Sequence, residues 1–344
     1  MKKLLLILLC LPMIGFGQNV NIPDANFKAY LVGELSINTN GDVEIQVSEA
    51  NSFNGAINCG FLNISDLTGI EYFTALTYLN CDWNQLTSLD VSNNTALTNL
   101  YCGGNQLTSL DVSQNTALIN LGISLNSINS INLTQNVNLE EFLCHINNLS
   151  SLDLSQNINL KTLLCYENNL TTLDIFNNIN LGWLSCQDNQ ISILDLSQNI
   201  NLEILNCEFN NIICLDISNN PILLELTCNN NLLEMLTLKN GIWNSNSNMF
   251  LIEAKINNLF CVEVDNIAYA INNWSGAFDS FVSFSTNCNY SAPCNFTTSI
   301  QEHTTNKELL KVTDILGRET KGTKNELLFY IYDDGTVEKR IVIE

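Results

Sequence analysis

Apolar residues recur along this chain with a strict period. Leucines at 76, 97, 118, 139, 160, 181, 202 and 223 stand 21 residues apart. Each opens the pattern LxxLxCxxNxLxxLDLSxNxx. Within LxC the apolar positions alternate with polar ones, as Leu79 and Cys81 alternate with Asn80 and Asp82. That alternation predicts a short strand with one buried face. So thin a turn cannot bury its own leucines, so neighbouring turns must bury them together. Stacked strands then pair in parallel, about 4.8 Å apart. The second half of each turn, as in Leu86, Leu89, Val91 and Asn94, repeats the spacing of the first. It leaves little room for a helix. The pattern predicts a β-rich solenoid: one parallel sheet and a non-helical far side.

LxxLxLxxNxL is the signature of leucine-rich repeats, here with Cys at the third Leu. The stretch from Ile57 to about Trp243 resembles that family. An asparagine column, Asn84 to Asn231 in steps of 21, is complete. Its amides are expected to satisfy backbone groups where the chain bends inward.

Eleven of the thirteen cysteines fall into two sets. Cys81, Cys102, Cys144, Cys165, Cys186, Cys207 and Cys228 share one inward column, Ile123 fills its gap, and Cys59 begins it. Strands about 4.8 Å apart do not suit a disulfide, which wants Cβ atoms about 3.8 Å apart, so the column reads as small apolar packing. Cys261, Cys288 and Cys294 lie beyond the repeats. Cys261–Cys288 is the favoured bridge, and the pairing of Cys294 is left open.

A solenoid needs its open ends sealed. At the start, Asp24 precedes Phe27, Tyr30 and Leu31 at helical spacing. At the end, Asp265 precedes Ile267, Ala270, Ile271 and Trp274, and is expected to cap their helix. These readings divide the chain into 18–54 as N-terminal cap, 55–243 as solenoid and 244–298 as C-terminal cap. Between the first cap and the repeats, Asn38, Asn40, Asp42 and Glu49 match positions one, three, five and twelve of an EF-hand loop, with Val43 where that loop has Gly. The stretch resembles a degenerate EF-hand or dockerin-type loop. It reads either as a calcium site or as a polar turn joining cap to solenoid.

Charge narrows the partners. The net charge is −22, and no Lys or Arg falls between Lys28 and Lys161. Nucleic acids and anionic lipid surfaces need clustered cations, so neither is an expected partner. The first 17 residues, with Lys2 and Lys3, an apolar Leu4–Ile14 core and Gly15-Phe16-Gly17, read as a secretory signal peptide. No later stretch is apolar enough to span a bilayer.

Seven of the thirteen cations lie from Lys307 onward, which marks 299–344 as a different unit. It holds three strand-like runs: Leu309–Thr313, Leu327–Tyr332 and Thr336–Ile343. With Asp314-Ile315-Leu316-Gly317-Arg318-Glu319 and Asp334-Gly335-Thr336-Val337-Glu338-Lys339-Arg340, it resembles the C-terminal sorting domain of the type IX secretion system. That resemblance implies passage across the outer membrane by that machinery, and a secreted or cell-surface protein.

Against the constant scaffold, outward strand positions vary and mix aromatics with acids, as contact surfaces do. Tyr78, Trp83, Tyr101, His145, Tyr166, Trp183 and Phe209 are the candidate ligand-binding residues, with Trp83 and Tyr101 on neighbouring turns. The outer column Asp90, Asp111, Asn132, Asp153, Asp174, Asp195, Asp216 scarcely varies. It reads as acceptors for turn amides, or as a cation stripe. His145 and His303 are the only histidines, and the chain has no G-x-S-x-G, H-E-x-x-H or phosphate loop, so no enzyme is expected. Two readings remain. One is a binding solenoid that grips a protein or polysaccharide through a concave sheet. The other is a structural or adhesive coat protein without a selective soluble ligand.

Overall fold

The computed structural model describes residues 18–241, 251–290 and 294, and the backbone of three strands within 309–341. Residues 1–17, with the leader motif, and the sorting motifs at 314–319 and 334–336 lie outside them. The chain divides into two compact units, Met1–Cys294 and Asn295–Glu344.

The first unit is the parallel solenoid that the periodicity predicts. Its main sheet has ten strands, stacked in sequence order from Ala56–Asn58 to Glu225–Thr227 and then Leu251–Glu253. Register follows the repeat: Tyr78 pairs with Asn99, Asn99 with Asn120, and Asn120 with Glu141. Each strand is three residues long, with its central apolar residue buried and its flanks turned outward. Leu79, Leu100, Leu121, Phe142, Leu163, Leu184, Leu205 and Leu226 form that central row, all fully buried.

The sheet runs past the boundary at 243 suggested by the repeat. Leu251–Glu253 pairs with Glu225–Thr227 across a longer connection. Ala254 takes the cysteine position and Asn257 the asparagine position, donating to the carbonyls of Cys228 and Ala254 at 3.1 Å each. The turn was hidden because it has Ala for Cys and is offset by 26 residues in register instead of 21.

Three asparagine ladders hold the turns. In the first, Asn84 donates to the carbonyls of Cys59 (2.9 Å) and Cys81 (3.0 Å) and accepts from the amide of Ile64 (2.9 Å). One side chain thereby ties two turns together. The second runs through Asn94, Asn115, Asn136, Asn157, Asn178, Asn199 and Asn220, and its members are at most 1% exposed. Each donates to carbonyls one turn back, as Asn157 does to Leu133 (3.2 Å) and Asn136 (2.9 Å). The Oδ1 atoms of Asn94, Asn115, Asn136, Asn157, Asn199 and Asn220 have no partner. Lone acceptors are tolerated better than lone donors. The third is external: Asn138, Asn159, Asn180 and Asn201 donate to Thr116, Val137, Ile158 and Ile179.

On the far side, the aspartate column is a row of turn acceptors. Asp90 Oδ1 accepts from Ser92 N at 2.9 Å, Asp153 from Ser155 N at 3.0 Å, and Asp216 from Ser218 N at 2.8 Å. The hydroxyl and amide of the serine two residues on hold Asp90 and Asp153 below the usual carboxylate range. Lowered folded-state values mean that these bonds support the fold at neutral pH and lose that support as pH falls into the carboxylate range. Among the described residues, that side becomes a regular sheet only toward the C-terminal end. Cys214–Asp216, Met235–Thr237, Cys261–Glu263 and Ser283–Ser285 pair in parallel there.

The cysteine column is as expected. Cys59, Cys81, Cys102, Cys144, Cys165, Cys186, Cys207 and Cys228 are free and buried, with Ile123 buried in the gap. Burial pushes every thiol in the column up, Cys59 to about 12. Thiols held protonated and away from solvent are unreactive. These eight cysteines should resist a thiol reagent in the native protein and react in denaturant without reductant. Measuring both states with a chromogenic disulfide reagent checks this, and fast native labelling would show that the column is open.

Disulfides join Cys261 to Cys288 and Cys214 to Cys294. The second settles the partner of Cys294. The stretch that links the two bridges, the strap, brings Tyr290 against the second sheet. There Tyr290 accepts from the Leu236 amide (3.4 Å) and donates to the carbonyls of Leu236 (3.0 Å) and Cys261 (2.9 Å).

Both caps contain the expected helices. The first, α1 (Ala25–Gly33), buries Phe27 and Leu31. Asp24 caps it and also accepts from the amide of Ser65 at 2.8 Å, joining cap to first turn. A short helix, α2 (Val47–Ser52), follows the polar loop. The third, α3 (Ile267–Trp274), differs in detail from the expectation. Its cap is Asn266, which accepts from Tyr269 N at 3.0 Å, while Asp265 accepts from Gly241 N. Ala270 and Trp274 are buried, but Ile267 and Ile271 are exposed. Two acceptors stood side by side, and Asn266 is the one directly before the helix.

In the second unit, Leu309–Thr313, Leu327–Tyr332 and Val337–Ile341 form an antiparallel sheet in sequence order. Among the described residues, no helix is long and apolar enough to cross a membrane.

Candidate functional site

Side chains that leave the main sheet fall into four columns. Two are the outer positions of each strand. The third follows each cysteine. The fourth, one residue further on, runs Phe61, Trp83, Gly104, Leu125, Ile146, Glu167, Asp188, Phe209, Asn230 and Ile256. Every member has a positive φ, between 49° and 61°. Left-handed backbone costs a non-glycine residue about 1–2 kcal/mol, and more for a β-branched one. The bend is imposed just before each ladder asparagine, whose bonds hold it there. This fourth column was illegible in the sequence because few of its residues are types that favour the conformation.

The candidate contact residues spread over these columns. Trp83 and Tyr101 sit on neighbouring turns but in different columns: Tyr101 is paired with Asn80, and Gly104 is the turn-mate of Trp83. The ring of Trp83 stacks on Phe61 with centroids 5.7 Å apart and planes at 14°. On its other side it covers Gly104, where an added Cβ would come within 2.7 Å of the indole. Asp82 accepts from the amide of Gly103. The Asp82-Trp83 pair of one turn is thus matched to the Gly103-Gly104 pair of the next. Likewise Tyr101 lies over Gly122, packs near Tyr78 (5.9 Å), and donates from its hydroxyl to Glu141 at 3.2 Å.

Gly104→Ala should therefore lower stability by about 2 kcal/mol, the left-handed cost plus displacement of the indole. Urea unfolding followed by tryptophan emission checks this. An unchanged midpoint would mean that Trp83 does not rest there.

His145 and Tyr166 occupy the column after the cysteines on successive turns. They stack face to face at 4.3 Å and 11°. Ser124, one turn earlier, shares a hydrogen bond with His145 Nδ1 at 2.9 Å. Burial holds the imidazole below its ordinary value. Trp183 (44% exposed) and Phe209 (51%) stand further along the face. Its acids outnumber its cations. Glu141, Glu167, Asp188, Glu208, Glu225 and Glu253 lie in these columns, and Lys255 is the one Lys or Arg among their described residues.

The polar loop before the repeats has every candidate calcium ligand engaged. Glu49 Oε1 accepts from Thr39 N (2.8 Å), Thr39 Oγ1 (2.9 Å) and Asn40 N (3.2 Å), and its Oε2 accepts from Gln46 N (3.0 Å). Burial pushes this carboxyl up, but the four bonds outweigh it and hold the group below the usual range. Asn38 accepts from Gly41 N, Asn40 from Asp42 N, and Asp42 from Glu44 N. Calcium, which takes six to eight oxygens, would have to replace these bonds. Among the described residues, no group of three or more His, Cys, Asp or Glu is placed to hold a metal ion.

No family model and no curated protein sequence matches the chain. Solved structures do. The functional domain of InlJ from Listeria monocytogenes, described as including a cysteine ladder, is 28% identical with a TM-score of 0.53, over 72% of this chain and 68% of that one. A leucine-rich-repeat protein of Leptospira interrogans is 20% identical with a TM-score of 0.50, over 69% of each chain. The ectodomain of the plant receptor kinase GASSHO1/SCHENGEN3 from Arabidopsis thaliana, solved in complex with CASPARIAN STRIP INTEGRITY FACTOR 2, is 17% identical with a TM-score of 0.56, over 67% of this chain and 29% of that one. The fold of this chain is that of a leucine-rich-repeat solenoid, similar to those of bacterial repeat proteins and a receptor ectodomain.

Proposed function

We propose that this chain is a secreted or surface-displayed binding protein that grips a partner protein along the solvent face of its main sheet. One observation carries the reading. Scaffold columns are nearly invariant from turn to turn, while the four outward columns vary and leave Phe61, Trp83, Trp183 and Phe209 between 44% and 71% exposed. Large exposed aromatics on one face mark contact surfaces. Display of residues 18–344 against arrays of proteins and glycans tests the reading. Trp183→Ala or Phe209→Ala should weaken a captured protein at least about 30-fold, the hot-spot scale of about 2 kcal/mol, with an unchanged melting temperature. Capture of a polysaccharide instead would replace the partner class. Self-association without selective capture would favour the coat-protein reading.

Export belongs to the same proposal. It is supported by the leader sequence, by the resemblance of 299–344 to a type IX sorting domain, and by two disulfides. Deleting residues 308–344 and fractionating cells tests it, and unchanged surface and medium levels would remove it. Calcium at Asn38, Asn40, Asp42 and Glu49 rests on spacing alone. Calorimetric titration of wild type and Glu49→Ala decides it, and no calcium-dependent heat in either protein discards the site.

A further inference from the structure

The two ends of the solenoid are sealed differently. A stack must cover its terminal core at both ends. At the first end, α1 lays Phe27 and Leu31 onto the core, both fully buried. At the last, α3 buries Ala270 and Trp274 but leaves Ile267 (38%) and Ile271 (53%) in solvent. These two stand four residues apart, on one flank of the helix. The opposite flank, with Tyr269 and Asn273, lines a cavity together with Ile252 and Glu253 of the preceding turn. Ile267 and Ile271 therefore face away from the stack.

The same end carries an open strand edge. The second sheet stops at Ser283–Ser285, which is paired on one side only, with Cys261–Glu263. Ser283 N donates to the Phe260 carbonyl (3.0 Å), and the Ser285 carbonyl accepts from Val264 N (2.9 Å). Alternate residues of a parallel strand send both backbone groups to the same side, so the N–H and C=O of Phe284 point off the end. Edge strands are usually blunted by Lys, Pro or a bulge. Ser283-Phe284-Ser285 has none of these. Charge decides what can cover such an end. From Asn266 to Tyr290 the only charged residue is Asp279, in a chain of net charge −22. Its carboxylate is turned back onto the preceding turn, where it accepts from Ile256 N at 2.9 Å. Two copies of so acidic a chain repel where their charges meet, and at this end they do not meet.

We propose that the C-terminal end of the solenoid is a self-association surface, closed by a second copy of this chain about a two-fold axis. With the two edge strands antiparallel, the Phe284 residues exchange N–H···O=C bonds, because both groups of each point outward. The axis that pairs the strands runs through both sheets, so it also sets α3 against its counterpart. Ile267 and Ile271 of each copy then cover the apolar surface of the other. Such a contact is isologous and uses up the open end, while the opposite end is sealed by α1, so association stops at a dimer. The dimer needs nothing from the proposed binding face, which runs along the side of the stack and stays free in both copies.

The test is sedimentation of residues 18–344 from low to high micromolar concentration, with hydrogen exchange read by mass spectrometry at the two extremes. The protein should pass from monomer to dimer, and the Phe284 amide should exchange more slowly in the dimer. Ile271→Glu sets a carboxylate against its own counterpart and should raise the dimer dissociation constant at least about tenfold, with unchanged melting because the side chain is exposed. Ile158→Glu, at an exposed position in the middle of the stack, adds the same charge and should leave the dimer intact. A monomer at every concentration overturns the proposal. Protection of the Phe284 amide in that monomer would replace the second copy by a segment of the same chain. A dimer that survives Ile271→Glu, or is lost equally in Ile158→Glu, overturns this end as the surface. A dimer without protection at Phe284 overturns the pairing of the strands, and growth beyond a dimer overturns the two-fold closure.

Discussion

Asn147→Ala is expected to destabilise the solenoid by about 3–5 kcal/mol, more than any exposed contact residue. The side chain is 8% exposed. It donates to the carbonyls of Ile123 (3.0 Å) and Cys144 (3.2 Å) and accepts from the amide of Ile128 (3.0 Å). Alanine orphans the buried Ile128 amide, at about 1–3 kcal/mol, and takes one donor from each of the Ile123 and Cys144 carbonyls, which keep Asn126 and Asn168, at about 1 kcal/mol apiece. Asn157→Ala, in the second ladder, removes two donor bonds and orphans no amide. Its expected loss is smaller, roughly 2–3 kcal/mol. Turns contact only their neighbours, so a break in the middle should also split unfolding into two transitions. Urea denaturation followed by circular dichroism measures both effects. A loss below about 1 kcal/mol for Asn147→Ala would mean that water replaces the ladder and that the turns are held by leucine packing alone.

The second large effect is at Cys214–Cys294. This bridge closes a loop with a sequence separation of 80, against 27 for Cys261–Cys288. Loop-closure entropy assigns ceilings of about 4.5 and about 3.5 kcal/mol to the two. The shorter loop lies inside the longer, so the losses should not add. The Cys214→Ser, Cys294→Ser double variant should melt well below wild type, and its last strands should exchange amide hydrogens first. Equal protection from Cys214 to Ser285 in both proteins would show that the strap is dispensable.

The repeat was legible because its physics is periodic. A leucine every 21 residues, an asparagine that must face inward and a thiol too regular to be bridged each admit one placement. The second asparagine ladder was half legible: the spacing of Asn94 repeated that of Asn84, but nothing in the letters showed it to be the more deeply buried. Cys214 could not be read as a bridging residue, because it stands within the repeats at a position where Ile193 and Met235 stand in neighbouring turns. Its partner is reached only through the fold. The same holds for the contact face. The sequence marked Trp83 as exposed, but only the register shows that its ring is matched to Gly104 and Phe61. The α3 cap was misplaced by one residue because Asp265 and Asn266 are both good acceptors.

The strap also sets how the molecule answers a pull. Cys294 is the last residue before Asn295–Glu344, so tension applied through that tail reaches the solenoid there. It is not delivered to the Ser283–Ser285 edge, from which a bare stack would peel turn by turn. The bridge carries it to Cys214, three strands in along the second sheet. The residues between the two cysteines are bypassed, and roughly 280 Å of potential contour stays locked at about 3.5 Å per residue. Under load, the end that looks weakest is the part of the solenoid that cannot unravel until a covalent bond is cut, and a reducing agent rather than force sets its extensibility.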